Sequence, residues 1–133
     1  MGKSLTKEQI YQAMPLAFRV ALRILDAWGF SPDEMALVLG LGSDECQRYQ
    51  ATGLPEESMS EDLTTRVSLI LGIERALEIL LVEESDIRNW VSHPSNAPIF
   101  KVATPKSVML NGRIDDLHAI RMYLDSWLSG DFS

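Results

Sequence analysis

Apolar residues recur every three or four positions over most of this chain, the period of helices that bury one face. Thr6 followed by Gln9 has the form of a capping box and opens a short first helix. It is expected to end near Pro15, because proline disfavours helical backbone in the residue before it. Leu16, Val20, Ile24 and Trp28, flanked by Ala17, Ala21 and Leu25, make the next stripe, which stops at Gly29. Ser31 caps a further helix, with Pro32 at its first position and Asp33 and Glu34 in its positive first turn. Met35, Ala36 and Leu39 are its buried side. Gly40-Leu41-Gly42 is a tight reversal, and Ser43 caps a third helix running to about Gln50, with Thr52-Gly53 as its stop.

The stretch 55–63 is polar and acidic and reads as a linker, dividing the chain into 1–54 and 64–133. From about Asp62 to Val82 the polar stripe narrows: Val67, Leu69, Ile70, Leu71, Ile73, Leu77, Ile79, Leu80 and Leu81 leave little of the circumference hydrophilic. Such a helix is buried on more than one side, at the centre of the fold or in a core shared with a second subunit. Because symmetric homodimers are the commonest oligomers, Val67, Ile70, Leu71 and Leu77 are the candidate dimer contacts. Ser85-Asp86 starts a short helix carrying Ile87, Trp90 and Val91. Residues 92–103 form a loop with two prolines, long for a small domain and so a candidate for function. Thr104-Pro105 restarts a helix and Asn111-Gly112 ends it. Asp115 and Asp116 begin the last helix, with Leu117, Ile120, Leu124, Trp127 and Leu128 as one stripe and Gly130 as its stop. The fold class expected is all-α, an N-terminal helix-turn-helix unit followed by a helical C-terminal domain.

At 133 residues, with 46% hydrophobic and 23% charged residues, the chain has the composition of a folded globular protein. The single cysteine, Cys46, leaves no intramolecular disulfide, and two distant histidines make no zinc pattern, which fits a reducing cytoplasm. Glu74, Arg75 and Glu78 interrupt the longest apolar run, so it cannot span a bilayer. The first eight residues carry Lys3 and Lys7 with no apolar segment behind them, so no secretory signal is expected.

A helix-turn-helix enters the major groove with its second helix, where Arg and Gln make bidentate contacts to base edges. Ser43, Gln47, Arg48 and Gln50 are of the right types and are the candidate contacts to operator DNA. Charge opposes that task. The net charge is −7, and phosphate attraction supplies most non-specific affinity. Residues 1–54 hold five basic against six acidic residues, so most of the acidity falls on the other half.

That other half resembles the toxin-binding domain of the Xre/MbcA/ParS antitoxins. The resemblance rests on an ordered set over about 62–130: an apolar helix led by Arg66, an acidic turn, a helix with Trp90, then Pro94 and Asn96. Thr104-Pro105, Asn111-Gly112 and a final helix ending Trp127-Leu128-Ser129-Gly130 complete it. Where relatives commonly carry a small pair before the Thr-Pro, this chain has Pro98-Ile99-Phe100-Lys101-Val102-Ala103. The resemblance implies a partner toxin of the RES type, which degrades NAD, and repression of the shared operon. Asn96, Phe100 and Lys101 in the loop, Arg113 in the following turn, and Asp131 and Phe132 in the tail are the candidate toxin contacts.

Catalysis has little footing. Cys46 lies in the proposed reading helix, away from His93 and His118, and the paired carboxylates sit at helix starts or in the linker, where solvation and the helix dipole explain them. Gly40-Leu41-Gly42 has no strand before it and is no phosphate loop. No enzyme activity and no cofactor are expected. Two alternatives to an antitoxin stay open: a stand-alone dimeric regulator, and a protein-only adaptor that has lost DNA binding.

Overall fold

The computed structural model describes residues 6–95, 97–101 and 103–130, the side chains of Lys7, Ile10 and Tyr11 excepted. The fold is all-α. Seven α-helices run in order among these residues: α1 (Lys7–Ala27), α2 (Pro32–Leu39), α3 (Ser43–Thr52), α4 (Glu61–Leu80), α5 (Glu84–Ser92), α6 (Pro105–Met109) and α7 (Ile114–Ser129). Short 3₁₀ turns at Glu56–Ser58 and Pro98–Phe100 complete the list. No helix among the described residues is long and apolar enough to cross a membrane.

The expected helix ends hold where a side chain makes the cap. Thr6 accepts from the Gln9 N–H and Gln9 returns the bond to the Thr6 N–H, at 3.1 and 2.9 Å. Ser31 and Glu34 form the same reciprocal pair at the start of α2. Thr104 and Pro105 open α6, and Gly130 closes α7 in the left-handed region. One expected end fails. α1 runs straight through Pro15, because Met14 and Phe18 on either side of it are buried to 3% and 2% exposure. Their burial, at about 1.5–3 kcal/mol each, offsets the ~3 kcal/mol that an interior proline costs. The buried face is therefore Met14, Phe18, Ala21, Leu22 and Leu25, with Ile24 and Trp28, and Leu16 is left exposed. The cap of α3 also shifts: Gly42 holds the cap position and Ser43 is already helical.

α4 is the central helix. It packs along α7 and α1, and more lightly against α2 and α5. α4 and α7 run side by side in one direction. Arg66 meets Gly112 at their starts, Arg121 lies across Gly72 midway, and Leu80 and Leu81 stand beside Trp127 at their ends. A Cβ at Gly72 would overlap the Arg121 guanidinium, which pairs with Asp125 at 3.1 Å, so the glycine lets a charged side chain cross the helix. The stretch expected to be a linker is part of this packing. Leu63 is buried, Met59 packs against the same core as Leu54 just before the stretch, and that core is continuous from α1 to α7.

Two cations tie the halves together. Arg66, 9% exposed, donates from Nη1 to the Val38 and Gly112 carbonyls at 3.1 and 2.8 Å and from Nε to Asp62 at 2.8 Å. Gly40, left-handed at φ 70°, gives it room: a Cβ there would come within 2.9 Å of the guanidinium. Lys106 donates to the Gly29 carbonyl at 3.0 Å, pairs with Glu34 at 3.1 Å and lies 5.1 Å from the Phe30 ring centre. The hydrogen bond from the Ser31 N–H holds the Glu34 carboxyl below its ordinary range against the opposing effect of burial, and the hydrogen bond and charge of Lys106 add to the lowering.

Trp28, 1% exposed, donates from Nε1 to Glu74 at 3.3 Å. Burial raises the Glu74 carboxyl above its ordinary range; Glu78 and Glu84 add to that, and the Trp28 N–H opposes it. A carboxyl raised on folding contributes stability at low pH that is lost as pH rises through its folded value.

Arg66→Ala leaves two carbonyls without their donor and should cost about 3 kcal/mol, lowering the thermal midpoint by roughly 10 °C in a single transition. A midpoint within about 2 °C of the parent would show that the arginine does not hold the halves. Glu74→Gln keeps an acceptor for Trp28 and removes the charge, so it should raise the midpoint at about pH 7.5, with the gain shrinking towards about pH 4 as the parent carboxyl protonates. A lower midpoint at the higher pH would contradict this.

Candidate functional site

α2, the Gly40-Leu41-Gly42 turn and α3 have the connectivity of a helix-turn-helix, two helices joined by a short glycine-containing turn. The turn is built by backbone bonds. Gly40 N–H donates to Leu37 and Leu41 N–H to Ala36, which closes α2 and starts the chain back over it. α3 then divides cleanly by face. Cys46 and Tyr49 are buried, and Tyr49 meets Phe18 of α1 edge-on at 6.3 Å. Ser43, Gln47, Arg48 and Gln50, the four candidate DNA contacts, are all exposed. Asp44 is exposed among them. Glu45 is turned inward, accepting from the Gly42 N–H at 3.3 Å and from the Tyr49 hydroxyl at 3.0 Å. Tyr49 in turn accepts from Ser58 at 2.7 Å, so the stretch after α3 braces the helix.

Beside α3 runs a groove of about 530 Å³, with Arg19, Arg23 and Asp26 of α1 on one wall and Gln50, Ala51, Thr52 and Gly53 on the other. Arg19 and Arg23 are exposed. The sequence pattern of α1 did not single them out, because their meaning depends on the helix lying against α3.

The candidate toxin contacts are dispersed. Phe100 is 1% exposed, held edge-on by Trp90 at 5.8 Å and Tyr123 at 5.7 Å, so it anchors the loop and offers no surface. Its neighbours Ile99 and Lys101 are exposed on either side of that anchor. Lys101 takes φ 49°, the one left-handed non-glycine residue among those described. The loop ends are tied by the Ser95 N–H to the Ala103 carbonyl at 3.1 Å. Arg113 is exposed but pairs with Asp116 of its own helix at 3.0 Å. Asn96, Asp131 and Phe132 lie outside the described residues.

The dimer contacts need correction. Val67, Ile70 and Leu77 are at most 1% exposed within the single chain, and Leu71 is half-buried against the same core. Neighbours in this chain cover the face of α4 that carries Val67, Ile70 and Leu77, while Ile79 is left 59% exposed. The final stripe is also shorter than expected: Trp127 and Leu128 are 47% and 40% exposed.

Cys46 is 3% exposed, and burial pushes its thiol above the ordinary value, with the Glu45 charge adding to the rise. His93 and His118 are exposed in the C-terminal half, His93 with Nδ1 2.8 Å from the Asn89 carbonyl. Among the described residues no group of three or more His, Cys, Asp or Glu is placed to hold a metal ion.

The chain is similar to the uncharacterized protein y4oB of Sinorhizobium fredii, 30% identical over 118 residues that make up 88% of each chain. No family model matches it.

A buried, un-ionised thiol is a poor nucleophile. Cys46 should therefore react with an aromatic disulfide reagent at least about a hundredfold more slowly in the native protein than in denaturant. Equal rates would mean that the buried face of α3 opens freely.

Proposed function

We propose that this chain, which belongs to the family of the uncharacterized protein y4oB, is the antitoxin of a type II toxin-antitoxin pair. In this reading α3 enters the major groove of operator DNA, and the C-terminal half covers the NAD-degrading site of a RES-type toxin. The observation that carries it is the division of α3: Ser43, Gln47, Arg48 and Gln50 are exposed on a helix whose other side is fixed by Cys46 and Tyr49. Side chains on a rigid element can be held to a base edge at little entropic cost. Turning Glu45 inward removes it as a hydrogen-bond competitor beside the phosphates and leaves Asp44 as the exposed acid of that turn.

For the toxin, support comes from the ordered resemblance of the C-terminal half and from the loop at 97–101. There Phe100 acts as a post, holding Ile99 and Lys101 out on a strained turn. Occlusion would be steric, with Lys101 and the exposed apolar residues as the contact. A second reading, a regulator without a toxin, is favoured by the intrachain pairing of Arg113 and the burial of Phe100, which remove two of the expected contacts.

The test is co-expression of the neighbouring reading frame with and without this chain, following growth and cellular NAD. Restored growth and NAD are expected. Equal toxicity and equal NAD loss in both cultures would remove the antitoxin reading, and repression of a fusion to the chain's own promoter would then leave the regulator.

A further inference from the structure

Some cations of the chain are matched by carboxylates and others, Arg75, Arg88 and Lys101 of the C-terminal half among them, stand exposed without one among the described residues. In the C-terminal half Arg66, Lys106, Arg113 and Arg121 each pair with a carboxylate of the chain, at 2.8 to 3.1 Å. Arg19, Arg23 and Arg48 have no carboxylate partner among the described residues, although Asp26 lies on the same wall as the first two. All three are exposed, and they stand on the two helices that flank the groove beside α3.

We propose that Arg19 and Arg23 form a second, sequence-blind contact with DNA, gripping the phosphodiester backbone that borders the groove entered by α3. This rests on the DNA-binding reading above. Spacing of four residues puts the two side chains on one face of α1, about 6 Å apart at their roots, so two extended guanidinium groups reach neighbouring phosphates of one strand. The contact of Phe18 with Tyr49 fixes that face relative to α3. The facing wall, Gln50, Ala51, Thr52 and Gly53, is small or polar and carries no acid.

The groove floor argues against a hydrophobic ligand. Phe18, Leu22, Met35, Tyr49 and Leu54 are each no more than 9% exposed, so the floor offers little apolar area to bury. What the groove presents is charge. Residues 1–54 are otherwise acidic, so these arginines must supply the local field that a DNA reader requires.

The experiment is a fluorescence titration of a duplex of about 30 base pairs, one version from upstream of the chain's own reading frame and one scrambled, over a salt series starting at about 20 mM. Arg19→Gln with Arg23→Gln should weaken binding to both duplexes alike, roughly tenfold at low salt, and reduce the slope of log affinity against log salt by about two per chain. Arg48→Ala, by contrast, should weaken the upstream duplex more than the scrambled one. The pair Arg19→Lys with Arg23→Lys should restore the slope, since phosphate contact needs the charge. An unchanged slope in the glutamine pair, or its loss in the lysine pair, would overturn the backbone contact and leave the reading by α3 in place. A parent protein that binds neither duplex at the lowest salt would overturn both.

Discussion

The guanidinium of Arg66 is the constraint on which the rest of the fold depends. It is a charge removed from water, and such a group is tolerable only when its donors are matched. Asp62 supplies the counter-charge from one turn earlier on the same helix, and two main-chain carbonyls supply the rest, Val38 at the end of α2 and Gly112 in the turn before α7. One side chain on the central helix thereby sets the distance from α4 to the helix-turn-helix on one side and to the start of α7 on the other. Lys106 repeats the device at the far side of α2, reaching the Gly29 carbonyl and Glu34. The hydrophobic core supplies the driving force, and these two cations fix the register in which it closes.

How much of this was legible in the sequence depends on where each signal resides. Caps were readable because donor and acceptor lie three residues apart, as at Thr6 with Gln9 and Ser31 with Glu34. The exposed face of α3 was readable because its period and its glycine turn are local. Pro15 misled, since the rule that proline ends helices is also local, while the burial of Met14 and Phe18 that overrides it comes from the tertiary fold. Arg66 and Lys106 could not be read as ties at all, because their decisive partners include main-chain carbonyls 28 to 77 positions away, and a carbonyl leaves no mark on residue identity. Phe100 shows the same limit: a loop aromatic looks available until Trp90 and Tyr123 close around it.

The conflict between a net charge of −7 and the DNA reading proposed for α3 also becomes smaller in three dimensions. Formal charge counts every acid equally, but Glu34 is matched by Lys106 and Glu45 is bonded to Gly42 and Tyr49. Exposed arginines remain on α1 and α3, while Arg66, Arg113 and Arg121 of the C-terminal half are matched by carboxylates of that same half. Position on the surface, more than composition, decides what field a partner meets.

The hydrogen bonds of Arg66 bear on modularity. A reading unit joined to its neighbour by a free tether could be exchanged for another by recombination at the tether, as beads on a string. Here the Val38 carbonyl at the end of α2 is bonded by an arginine that lies beyond any such joint, and Gly40 is small so that this arginine fits. A transplanted helix-turn-helix would arrive with neither the matching carbonyl geometry nor the space. The two halves are thus bound to vary together, and α3 cannot be repositioned without disturbing the helix that carries the rest of the molecule.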